Sequence, residues 1–253
     1  MFLIFRIECG EKVGKLNDLT KEEWAKYNKT VWNCTSRNGY FASFDKEIPE
    51  RLIKYFTCKG NTILDPFVGS GTTLTVAQEL NREAYGIDCS SNAVGFMKKN
   101  MLKHQMDNNV RIEVIHGDAK NIGIKDEKID FIITSPPYFD IVHYCDEKEQ
   151  IGNISIYEKF IENMTAAFGE CYRVLKKGKY ACIITGDIRK AHEYYPIHVD
   201  YITHLEKIGF RLHQILINRT QTSGFGKREE CMGYPTNFHP WMIHEYILIF
   251  QKN

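Results

Sequence analysis

Apolar and polar residues follow two rhythms along this chain. Thr62–Phe67, Ile129–Thr134, Tyr180–Gly186 and Glu245–Phe250 are nearly continuous apolar runs, short enough to be strands buried on both faces. Ala84–Asp88, Arg111–His116 and His213–Asn218 add three further strands. Between them, Thr72–Leu80, Ala93–Gln105, Tyr157–Leu175 and His198–Ile208 place apolar residues at helical spacing. Lys176-Lys177-Gly178 reads as a basic last turn and a glycine stop for the third of these helices. Strand–helix alternation of this kind builds a doubly wound, mostly parallel sheet. The last two strands are joined by residues 220–243 with no helix between them, which predicts an antiparallel pair. The expected fold is therefore α/β: a Rossmann-like, mostly parallel seven-stranded sheet with an antiparallel last strand.

Ahead of the sheet, Thr20-Lys21-Glu22-Glu23 fits a capping box for a short helix to about Lys29. Pro49 opens a second helix, Pro49–Phe56. No repeat, low-complexity tract or Pro/Gly/Ser-rich linker divides the sequence. The reading is one domain over 1–253, with an N-terminal segment 1–60 and a core 61–253.

Composition mainly excludes. Hydrophobic residues at 43% and charged residues at 26% argue against a disordered chain. A net charge of +1 gives no general electrostatic case for nucleic acid. No apolar run approaches the roughly 18 residues that span a bilayer, and the N-terminus lacks a signal-peptide pattern. The expectation is no membrane partner and a cytoplasmic location. Eight cysteines without a C-x-x-C pair disfavour zinc and are expected to be reduced.

Two motifs carry chemistry. The first, Asp65-Pro66-Phe67-Val68-Gly69-Ser70-Gly71-Thr72-Thr73, runs from a strand through a glycine turn into a helix. Glycines let backbone approach a ligand, and a helix N-terminus offers free N–H groups. A phosphate loop would need Lys after the last glycine, and a dinucleotide fingerprint would need glycine where Leu74 stands. The remaining reading is a site for S-adenosylmethionine, with Asp65 meeting its cationic amino-acid end. Asp88 would take the ribose hydroxyls and Asp118, with Ala119 beside it, the adenine amino group. With Ser135, these residues lie at strand C-termini, the edge where open α/β sheets bind ligands.

The second motif is Thr134-Ser135-Pro136-Pro137-Tyr138. The prolines stiffen the loop and donate no hydrogen bonds, while their carbonyls and the Ser135 hydroxyl remain acceptors. Tyr138 offers a stacking face. Acceptors beside an aromatic platform suit the exocyclic amino group of a base taken out of its stack. Accepting both amino hydrogens would localise the nitrogen lone pair, so that positioning supplies much of the rate. No covalent nucleophile is required.

Asp65–Thr73 resembles the cofactor motif of the DNA amino-methyltransferases, and Thr134–Tyr138 resembles their catalytic motif. The resemblance implies the S-adenosylmethionine methyltransferase fold and that cofactor, bound by Phe44, Asp65, Pro66, Phe67, Gly69, Ser70, Gly71, Thr72, Asp88, Asp118 and Ala119. It implies catalysis by Ser135, Pro136, Pro137 and Tyr138. Ser-Pro-Pro-Tyr goes most often with cytosine N4, and adenine N6 is the close alternative. Methylation of an RNA base and a non-catalytic nucleic-acid-binding subunit are the distant ones. Tyr40–Phe44 followed by Ile48–Ile53 is similar to the family segment packed on the cofactor, but departs from it at Tyr40 and Asp45, where His and Pro are common. The cofactor motif precedes the catalytic one, so the chain looks circularly permuted relative to many members. Implied partners are double-stranded DNA, a cognate restriction endonuclease and a second copy in a homodimer, in a prokaryotic cytoplasm.

Target reading falls to residues 220–243, a loop too long for a simple connector. Lys227, Arg228 and His239 are its candidate DNA contacts, joined by Arg189 after the fifth strand. Residues 139–154 carry an excess of acids and are expected to form a lid.

Overall fold

The structure, a computed structural model, describes residues 16–34, 45–103, 110–190, 192–220, 240 and 242–253. In chain order the elements are α1 (Lys21–Tyr27), β1 (Val31–Trp32), α2 (Glu47–Phe56), β2 (Thr62–Asp65), α3 (Thr72–Glu79), β3 (Glu83–Asp88), α4 (Ser91–Lys103), β4 (Ile112–His116), β5 (Ile129–Thr134), α5 (Tyr157–Val174), β6 (Leu175–Thr185), β7 (Ile188–Lys190), β8 (Glu193–Tyr195), α6 (Ile197–Ile208), β9 (Phe210–Arg219) and β10 (His244–Lys252).

The main sheet has eight strands in the order β1-β9-β10-β6-β5-β2-β3-β4. β10 runs antiparallel to both β6 and β9, and the other pairings are parallel. The last strand is thus antiparallel, as expected, and it inserts between its neighbours. The eighth strand is β1. It is two residues long, too short to show a period, and it joins the edge when Ile217 N donates to Thr30 O at 2.8 Å.

A core lies on each face. Phe160, Met164 and Phe168 of α5 and Tyr201 and Leu205 of α6 pack on one side. Leu52 and Ile53 of α2, Leu74 and Val76 of α3, and Val94 and Met97 of α4 pack on the other. Along β10, Ile247 and Ile249 enter the second core while Leu248 and Phe250 enter the first. This is the alternation of a strand covered on both faces.

The capping box is present: Glu23 N donates to Thr20 Oγ1 at 3.1 Å and Thr20 N to Glu23 Oε2 at 2.9 Å. Arg82, 1% exposed, ties the N-terminal segment to the core. It donates to Thr57 Oγ1 and O at 3.0 Å, Leu80 O at 2.6 Å and Asp18 Oδ2 at 2.6 Å.

Two expectations are corrected. The long helix does not run to a Gly178 stop; it ends at Val174 and β6 begins at once. Its last carbonyls are capped from the far end of the chain. Lys252 Nζ, on a side chain that is almost fully buried, donates to Tyr172 O at 2.8 Å and Leu175 O at 2.7 Å. Gly178 instead sits inside β6 at φ +74°, where an irregularity interrupts the β5–β6 register. The cysteines are also not uniformly reduced: Cys58 is disulfide-bonded, while Cys34, Cys89, Cys145, Cys171 and Cys182 are free. Among the described residues no helix is long and apolar enough to cross a membrane.

Candidate active site

The C-terminal ends of β2 to β6, the end of β9 and the start of β10 share one edge of the sheet. Both motifs stand there. After β2 the chain turns at Gly69 (φ +51°) and Gly71 (φ +88°), left-handed conformations that favour glycine. Gly71 is further restricted, because a Cβ there would lie 3.1 Å from Met97 Sδ. A Cβ on Gly69 would meet nothing within 4 Å, so the turn faces open space.

Asp88, at the end of β3, fastens this turn. It accepts Gly69 N at 2.9 Å through Oδ2 and Ser90 N at 2.9 Å through Oδ1. Burial lifts its carboxyl above the ordinary range, and the two N–H bonds oppose that rise. It is half-buried, and a carboxylate with one bond on each oxygen keeps further lone pairs for a ligand. Asp118, also half-buried, accepts Lys120 N at 2.9 Å, and Ala119 beside it is buried. Asp88 thus holds an open glycine turn and Asp118 stands farther along the same edge, after β4, with neither a phosphate-loop lysine nor a third glycine. Those acceptors fit a cofactor presenting hydroxyls and an amino group, as S-adenosylmethionine does.

Asp65 does not face that space. It is 0% exposed. It accepts Thr73 Oγ1 at 2.6 Å, Thr134 Oγ1 at 2.7 Å and Phe67 N at 3.1 Å. Burial raises its carboxyl to about 6, against the lowering effect of those three donors. The expected contact with the cofactor's ammonium is therefore replaced by a brace. Asp65 joins the glycine turn and the first turn of α3 to Thr134, the residue before Ser135.

Ser135 is half-buried, and its hydroxyl has no hydrogen bond among the described residues. Pro136 is buried, and Pro137 and Tyr138 are half-buried. Tyr138 lies over the end of β6, where a Cβ on Gly186 would be 3.7 Å from its ring. Burial pushes its phenol well above the ordinary range, so the ring keeps its proton.

Three supports around the motif went unread in the sequence. Asp187, after β6, accepts His198 Nδ1 at 2.7 Å and Tyr194 Oη at 2.5 Å, fixing the β7–β8 hairpin and the start of α6. His198 stacks on Tyr246, with centroids 3.9 Å apart. Lys190 of the hairpin pairs with Asp140, two residues past Tyr138. Segment 139–154 then returns on itself, with Asp140 N donating to Gly152 O at 3.0 Å. A Cβ on Gly152 would stand 3.0 Å from Pro137, so any side chain there would press on the proline loop.

Of the expected DNA contacts, Arg189 is exposed on the hairpin, its guanidinium 5.2 Å over the Tyr194 ring. Lys227, Arg228 and His239, and Phe44 of the cofactor set, lie outside the described residues. The neck of their loop is at the active edge, closed by Thr220 N donating to Ile243 O at 2.8 Å.

The type II methyltransferase M.BglI of Bacillus subtilis is 35% identical over 123 residues, 47% of this chain and 35% of that protein. M.MjaI of Methanocaldococcus jannaschii is 40% identical over 76 residues, 27% of this chain and 25% of its own. The chain thus spans about a third or less of the curated relatives it matches. A crystal structure of a SAM-dependent methyltransferase from Methanosarcina mazei superposes with a TM-score of 0.55 at 15% identity, over 79% of this chain and 96% of that one, which establishes the fold. A general methyltransferase-domain model matches residues 64–183. The model of the DNA methylase family matches residues 9–99 and 129–253. That match takes in most of the chain, including both motifs, and the protein belongs to the DNA methylase family.

Proposed function

We propose that this protein is an S-adenosylmethionine-dependent DNA methyltransferase that methylates the exocyclic N4 amine of a cytosine flipped from the duplex. The observation that carries this is the uncommitted Ser135 hydroxyl. It stands on the stiff Pro136-Pro137 loop, one strand from the glycine turn and braced to it through Thr134 and Asp65.

The cofactor supplies an electrophilic methyl group. Asp88 and Asp118 hold its ribose and adenine ends, and the Gly69–Gly71 turn lets it lie close to the backbone. On the other side, Tyr138 stacks the flipped base. Ser135 Oγ and the Pro136 carbonyl accept the two amino hydrogens and localise the nitrogen lone pair. The amine nitrogen would take the methyl group as its bond to sulfur breaks, S-adenosylhomocysteine would leave, and the proton lost from the amine would pass to solvent, with no protein group alkylated. The brace fixes the distance between the two halves, where positioning is worth several kcal/mol. Serine in place of an acid or amide at the head of the motif supports cytosine. DNA is gripped by Arg189 on the hairpin and by Lys227, Arg228 and His239 of the 220–243 loop. A restriction endonuclease reading the same sequence is the proposed cellular partner, in keeping with the type II relatives.

The test is nucleoside analysis of DNA incubated with the protein and labelled S-adenosylmethionine. N4-methylcytosine is expected. Ser135→Ala should lose transfer by about 100-fold or more while still binding the cofactor. N6-methyladenine alone would overturn the cytosine assignment, and full activity in Ser135→Ala would overturn the role of the serine.

A further inference from the structure

Two thiols meet where the catalytic loop's continuation crosses the cofactor edge. Cys89 directly follows Asp88, and Cys145 lies in segment 139–154. Their Sγ atoms are 3.9 Å apart, and Gln150 Nε2 approaches both, at 3.6 and 3.4 Å. Both are free and half-buried. Each backbone is anchored: His116 Nε2 bonds Cys89 O at 2.9 Å, and Asn153 Nδ2 donates to Cys145 O at 2.7 Å. Close by, Glu147 Oε1 accepts Ser91 N at 3.0 Å and Ser91 Oγ at 3.2 Å, clipping the segment to the start of α4. The segment is thus a strap from the Ser-Pro-Pro-Tyr loop to the end of β3. The thiol pair is its second clip, beside the carboxylate assigned to the ribose.

We propose that Cys89 and Cys145 form a reversible dithiol site whose oxidation locks the strap over the ribose edge and slows cofactor exchange. The consequence for exchange rests on the cofactor reading of Asp88, whereas the bond itself does not. The oxidant is a hydroperoxide. One sulfur attacks the peroxide oxygen to give a sulfenic acid and releases water or an alcohol. The second sulfur attacks that sulfenic sulfur, forming the S–S bond and releasing water. Two electrons pass to the peroxide, and both thiol protons end in the released molecules. A thiol reductant reverses the step by exchange. The sulfurs must close by about 2 Å to reach bonding distance, with both residues already in contact.

The surrounding groups set the speed. Burial, then the partner thiol and Asp88, hold the Cys89 proton firmly. Burial and the Glu147 carboxylate do the same for Cys145. Glu147 itself is held down to about 2 by the Cys145 thiol and the Ser91 N–H. Thiolate is the reactive form, so the pair oxidises slowly near neutral pH and answers to sustained peroxide.

The test treats the full chain, loaded with S-adenosylmethionine, with hydrogen peroxide. Peptide mass mapping without reductant should show Cys89 joined to Cys145, two hydrogens lighter. The linked protein should release labelled cofactor about tenfold more slowly than the reduced one. Dithiothreitol should restore the rate, and Cys145→Ser should show neither link nor slowing. Retention of both thiols, scored by iodoacetamide labelling after peroxide, would overturn the site. Release at the unlinked rate from fully linked protein would overturn the lock. Cofactor binding to the reduced protein is measured first; its absence would overturn the cofactor reading, and link formation would still be scored.

Discussion

Replacing Thr134 with valine removes one hydroxyl from the brace and leaves the side chain's shape nearly unchanged. Thr134 Oγ1 donates to Asp65 at 2.7 Å inside a fully buried cluster, so no water can take its place. Burial has already moved Asp65 from its ordinary 3.8 to about 6. The folded protein therefore prefers the protonated acid. The stability tied to that proton is fully present below pH 3.8 and is lost as pH rises towards 6, a cost of about 3 kcal/mol once the group ionises. A hydrogen bond to a charged group is worth about 1.5–3 kcal/mol. Losing one should carry the titration of Asp65 upward by about one and a half pH units. At pH 5 the carboxyl is largely protonated in both proteins, and the valine variant should be less stable by only about 1 kcal/mol, the net worth of a neutral hydrogen bond. At pH 8.5 the carboxyl is ionised in both, and the deficit should grow to about 3 kcal/mol. Urea denaturation at the two pH values measures this difference directly. A deficit that is equal at both, or larger at pH 5, would refute the claim that Thr134 supports an ionised Asp65.

Other substitutions probe other parts of the edge. Asp88→Ala should weaken S-adenosylmethionine binding by about 30-fold or more, read by calorimetry, because it removes the proposed ribose acceptor and frees the Gly69 turn. Arg189→Ala should leave cofactor affinity unchanged and raise the Kd for duplex DNA, with the salt slope of binding reduced by about one. Lys252→Met should destabilise the fold by about 3 kcal/mol in urea, since it strips the donor from the buried Leu175 carbonyl and the part-buried Tyr172 carbonyl.

What could be read from the sequence, and what could not, divides on locality. β5 was legible because its apolar run is nearly continuous, and α3 because its apolar residues fall at helical spacing. The glycine turn was legible because the left-handed positions at Gly69 and Gly71 demand that residue type. The end of α5 was read to within one residue, but its stop was misassigned, because its cap, Lys252, comes from about 80 residues away, while nearby Lys176 serves Asp130 at 2.7 Å instead. Asp65 shows the same limit at the active site. An acid at a strand end can face solvent or the neighbouring strand, and only sheet order decides. Here the neighbour of β2 is β5, whose last residue brings a hydroxyl from 69 positions along the chain. The acid that a local reading gives to the cofactor is thus spent on holding the glycine turn against the Ser-Pro-Pro-Tyr loop. This arrangement makes the two motifs one mechanical unit. A change that loosens Thr134 or Thr73 should therefore lower methyl transfer more than it weakens binding of either cofactor or DNA, because each half of the site stays intact while the distance between them relaxes.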